Sequence, residues 1–164
     1  MPFARRTRLA LTVGVCALAA GAALTAYTLA DTDPGADPGV RPAKASGAPH
    51  CHRITDAAPA TLGDLPRHDS SLPGIAVWGD RDIVLRCGVT PPTPTGDPCF
   101  AVDGVDWVID LGQSTRNRKV VVTYGRTPAT QVVFGGAGKT DAALIDLSRL
   151  VAPIRQTSHC ITSG

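Results

Sequence analysis

The chain has 164 residues and a formal charge of +2, and from His50 onward eleven Lys/Arg face eleven Asp, so this part is neutral and lacks the basic stripe that nucleic-acid binding demands. All fourteen acidic residues are Asp. That excludes a metal bundle bridged by paired glutamates and points to a turn-rich chain, because Asp favours caps and turns over helix interiors.

Residues 1–8 contain Arg5, Arg6 and Arg8, and the run 9–30 that follows is uncharged. As a helix it would span roughly 33 Å, enough to cross a bilayer, and it exceeds the apolar core of about 7–15 residues in a cleaved signal peptide. It reads as a retained single-pass anchor. Arginines before it and Asp31, Asp33 and Asp37 after it put the N-terminus in the cytoplasm and the rest of the chain outside. Residues 31–49, rich in Pro, Gly and Ala, read as a tether.

Residues 50–164 suffice for one small domain. The reading places a short helix at 60–65, ended by Pro66, and strands at 74–78 and 82–87. In the second strand Ile83, Leu85 and Cys87 share one face, while Val84 and Arg86 share the other. Pro91, Pro92 and Pro94 stop that strand, since proline has no N–H for the ladder. Strands at 99–102 and 105–111 flank Asp103-Gly104, a type I′ hairpin turn that sets Val102 opposite Val105 and Phe100 opposite Trp107. Val105, Trp107, Ile109 and Leu111 then form a buried face, and Asp106 and Asp110 a wet one. Further strands are expected at 118–124 and 130–134. A helix follows from Thr140 or Asp141, with Ala143, Leu144, Leu147, Leu150, Val151 and Ile154 on one apolar face. The predicted fold is α+β: an antiparallel sheet of five or six strands with the C-terminal helix on one face, preceded by one transmembrane helix.

Trp78-Gly79, then Ile83-Val84-Leu85-Arg86-Cys87-Gly88-Val89 and Pro91, with Val105-Asp106-Trp107 and Thr123-Tyr124-Gly125-Arg126 downstream, resembles an actinobacterial family of membrane-anchored or secreted proteins of unknown function. The resemblance covers most of residues 51–160. It implies an extracytoplasmic location in a cell envelope and carries no activity, ligand or catalytic residue with it.

Cys51, Cys87, Cys99 and Cys160 make an even count in an exported domain, which predicts two disulfides. Three pairings exist. Cys87–Cys99, closing a Pro-rich loop, and Cys51–Cys160, pinning the domain ends, are favoured here. The sharp alternative is a zinc or copper module in which His50, His52 and His159 join Cys51 and Cys160. The segment 135–140 ends in Gly-Lys-Thr after glycines, but Val133 stands where a phosphate loop needs glycine. Arg86 and Arg126, with Tyr124 and Trp78 nearby, are the candidate ligand contacts, because a guanidinium fork matches a carboxylate or phosphate. Neither a nucleophile elbow nor a Ser-x-x-Lys motif is present, and His68 beside Ser70 and Ser71 makes a weak triad. The sequence thus reads as an envelope binding module for a partner protein or a wall component, without a cofactor; the alternatives are an envelope enzyme of unrecognised type and the metal module.

Overall fold

Side-chain alternation builds the sheet, and the computed structural model describes it over residues 39–135 and 140–161. The expected span 9–30 lies outside the described residues. Among the described residues no helix is long and apolar enough to cross a membrane.

Pro49 opens helix α1 (Pro49–Asp56), where its missing N–H costs nothing, and Cys51 and Ile54, three residues apart, form its buried side. The strands are β1 (Thr61–Leu62), β2 (Leu65–His68), β3 (Ile75–Trp78), β4 (Ile83–Val89), β5 (Cys99–Val102), β6 (Val105–Ile109), β7 (Arg118–Thr123) and β8 (Ala129–Gly135). Helix α2 (Thr140–Val151) follows. The strands form one antiparallel sheet in the order β1-β2-β3-β4-β8-β7-β6-β5. Two four-stranded meanders therefore meet at β4 and β8. Among the described residues the sheet has eight strands, more than the five or six expected, and the two with no expected counterpart form the β1–β2 hairpin. The helix expected at 60–65 is this hairpin, with Gly63-Asp64 between Leu62 and Leu65.

The hairpin at Asp103-Gly104 has positive φ at both residues (48° and 75°), as a type I′ turn requires, and pairs Val102 with Val105 and Phe100 with Trp107. Ile83, Leu85, Trp107, Val121, Val132 and Phe134 line one sheet face, and α1 and α2 cover it through Ile54, Ala143, Leu144, Leu147 and Val151. Strand β6 stops at Ile109. Asp110 then caps a turn by accepting the Gln113 N–H at 2.9 Å, and Leu111, expected on the buried face, is 57% exposed.

The cysteines pair differently from the favoured scheme: Cys51 with Cys87 (Cα–Cα 5.3 Å) and Cys99 with Cys160 (Cα–Cα 5.7 Å). The reason lies in the sheet. Cys87 and Cys99 sit four strand positions apart, on the order of 19 Å along the sheet, beyond the Cα reach of a disulfide. They also belong to opposite faces, since Cys87 packs in the helix-side core whereas Phe100 and Val102, the alternates of Cys99, pack against that core. One disulfide thus fastens α1 to the helix face. The other fastens the C-terminal segment to the opposite face. Peptide mapping of the non-reduced protein should recover the 51–87 and 99–160 cross-linked peptides; a peptide joining Cys87 to Cys99 would refute this topology.

Part of the expected tether is docked. The Ala45 N–H donates to Gly88 O at 3.1 Å, and Ser46 is buried. Gly88 (φ +95°) forms a bulge in β4, and a Cβ there would overlap the backbone of Ala45 and Ser46.

Candidate functional site

The sheet face away from the helices presents the alternate residues of β4, β8 and β7. In β4 these are Val84 and Arg86; in β8 Gln131 lies opposite Arg86, and Val133 opposite Val84. Arg118 begins β7 opposite Gly135. Counting four residues along the strands and two strands across, the Arg86 and Arg118 Cα atoms stand about 17 Å apart. Arg81, at positive φ in the β3–β4 turn, and Arg41, in the segment ahead of α1, close the sides. The result is a cleft of about 220 Å³ with an apolar floor of Val84 and Val133. Four arginines line it and no carboxylate does, among the described residues.

Arg86 is the distinctive member. Its side chain is half-buried, its Nε is shielded from solvent, and it makes no hydrogen bond or ion pair among the described residues. The Nε atoms of Arg67 and Arg126 are also unpaired, but those guanidiniums are engaged elsewhere: Arg67 donates to Ala58 O at 2.9 Å and Arg126 to the carbonyls described below. Arg118 is steadied by donating to Gln113 O at 2.7 Å. An Nε–H that has surrendered water without gaining a partner leaves the guanidinium poised for an external anion.

The other sequence candidates are placed elsewhere. Arg126 is buried under the end of α2, donating through Nη1 to Ala152 O at 3.1 Å and to Ile154 O. Burial lowers its pKa from the ordinary value, and the Asp106 carboxylate opposes that shift. Arg126 is therefore a structural cation and is not brought together with Arg86. Trp78 is fully buried, its indole N–H donated to Pro59 O at 2.9 Å, so it offers no ligand surface. Tyr124 is half-buried just past β7, where its N–H donates to Asp106 O.

Asp106, expected to face solvent, is only 7% exposed. The C-terminal strap covers it: its Oδ2 accepts the Cys160 N–H and the Gln156 amide, each at 2.8 Å, with His159 Nδ1 at 3.3 Å. Asp103 instead pairs with Arg149 at 2.8 Å. The metal alternative is not assembled. Both thiols are consumed in disulfides with other partners, His50 accepts from Arg53, His159 faces Asp106 and Gln156, and His52 is exposed. Among the described residues no three His, Cys, Asp or Glu side chains cluster as a metal site. His68 is exposed on β2, and Ser70 accepts the Leu72 N–H within its own turn. The glycine-rich stretch 136–139 lies outside the described residues.

Sequence reasoning reached Arg86 and missed Arg41, Arg81, Arg118 and Gln131. Strand parity put Arg86 on the face away from the core. The remaining residues meet it only through the β4–β8–β7 order, for which no local signal exists.

A family model described as "Protein of unknown function (DUF3515)" matches residues 8–159. Neither the curated proteins nor the solved structures yield a match.

Proposed function

The chain belongs to the DUF3515 family of unknown function, and from the site it carries we propose that it is an extracytoplasmic binding module whose cleft captures a carboxylate or phosphate of an envelope component. One observation carries this reading: among the described residues, Arg86 has a shielded, unpartnered Nε in a cleft lined by four arginines and by no carboxylate. Each guanidinium offers a planar fork of donors that matches two oxygens of such an anion. The outward location is supported by the charge asymmetry around the apolar run 9–30 and by the two disulfides, which persist in oxidising compartments. Arg86 sits in the middle of β4, and a site carried on a strand suits the recognition of an anion.

Titration calorimetry of the full chain in a nonionic detergent, with inorganic pyrophosphate as probe, tests this. Wild type should bind, more weakly as salt rises. Arg86→Ala should weaken binding about tenfold or more, the loss of one charge-assisted contact. Exposed Arg155 lies outside the cleft lining, so Arg155→Ala should change nothing. Equal affinities for wild type and Arg86→Ala would refute the assignment.

A further inference from the structure

The cleft is not purely ionic. Its floor, Val84 and Val133, continues into a small apolar cluster with Ile75 and Val77, against which Val40 and Leu72 also pack. A bare phosphate would satisfy the guanidiniums and leave that floor uncontacted. An amphiphile would use both. At about 30 Å³ per water-sized group, the cleft holds about seven such groups, enough for a phosphodiester and the carbons flanking it but not for acyl chains.

The chain itself indicates which amphiphile. One wall of the cleft is Gly39, Val40 and Arg41, the first described residues after the apolar run. Only residues 31–38 separate Gly39 from the end of that run, and eight residues reach at most about 29 Å. The cleft wall is therefore joined in sequence, through eight residues, to the run read above as a membrane anchor. On the anchored reading, a basic surface joined to that run by so short a chain is attracted to anionic headgroups.

Building on the anion-binding reading above, we infer that the occupant of the cleft is the headgroup of an anionic phospholipid from the membrane that the 9–30 run enters. The phosphodiester oxygens accept from Arg86 and its neighbouring guanidiniums, and the glycerol carbons lie on Val84 and Val133. The headgroup would dock the folded domain against the bilayer.

Native mass spectrometry of the full chain released from nonionic detergent, after addition of phosphatidylglycerol or phosphatidylcholine, tests the inference. Phosphatidylglycerol should be retained about tenfold or more over phosphatidylcholine, Arg86→Ala should remove that preference, and Arg155→Ala should keep it. Arg86→Lys, which keeps the charge and loses the fork, should fall between them, and an unchanged melting temperature certifies each variant as folded. Equal phosphatidylglycerol retention by wild type and Arg86→Ala would place the lipid on the apolar run and overturn the inference. Absence of lipid preference alongside Arg86-dependent pyrophosphate binding would also overturn it, while leaving the anion-binding reading intact. Failure of both probes would remove both.

Discussion

Replacing Arg126 by alanine is expected to lower the unfolding free energy by roughly 3–5 kcal/mol, the range for breaking a buried, hydrogen-bonded charge network. Its guanidinium, 4% exposed, joins three parts of the fold: the loop after β7, the Ala152 and Ile154 carbonyls just past α2 and, through Nη2 at 3.5 Å, Gly104 O in the β5–β6 turn. A helix C-terminus carries unsatisfied carbonyls and a partial negative charge, and a cation there serves both. Alanine would leave those carbonyls without donors in a place water reaches poorly. It would also strip the nearby Asp106 of a favourable charge. Arg126→Lys keeps the charge but cannot reach several carbonyls at once, so it should recover only part of the loss. Arg86→Ala, which removes no internal partner, should cost less than about 1 kcal/mol. Urea unfolding with disulfides intact measures all three. Equal destabilisation by Arg86→Ala and Arg126→Ala would contradict the division of labour between the two arginines.

Trp107→Ala should cost about 3–5 kcal/mol as well, by a different route. The ring is fully buried where β6, α2 and the cross-strand partner Phe100 meet, so truncation opens a cavity in the helix-side core. Its indole N–H donates to Ser148 Oγ at 3.0 Å, and both groups are buried. Alanine would therefore also leave the Ser148 hydroxyl unpaired. Trp107→Phe retains most of the volume and loses that bond, and should cost less than half as much. If the alanine and phenylalanine variants unfold at the same urea concentration, the cavity contributes little and α2 is not seated on Trp107.

Local rules made much of this fold legible. Parity placed Ile83, Leu85 and Cys87 inward and Arg86 on the other face, and the Asp103-Gly104 turn set the register of Phe100 against Trp107. The spacing of Ala143, Leu144, Leu147 and Val151 identified the buried side of α2. The failures share a cause, which is that they depend on contacts between distant segments. Asp106 alternates as a solvent-facing residue should, until a strap some fifty residues later in the chain closes over it. Cys87–Cys99 looks attractive as a short loop because sequence distance hides four strand positions. Yet parity already argued against that bond, since Phe100 facing Trp107 leaves Cys99 on the face opposite Cys87. Residues 39–48 read as tether from composition, and their docking depends on Gly88 admitting the Ala45 backbone. Arg41 entered the cleft by that route, from a stretch whose composition carries no sign of function.

Among the described residues the Arg86 Nε has no partner, and on the proposed reading it awaits an external anion. Arginine Nε–H resonances, assigned by substitution and followed as inorganic pyrophosphate is added to the full chain in detergent, test it most directly. A saturable shift of the Arg86 Nε–H signal and a stationary Arg126 signal are expected. A stationary Arg86 signal while binding is saturated, or a shift of Arg126 in its place, would contradict it.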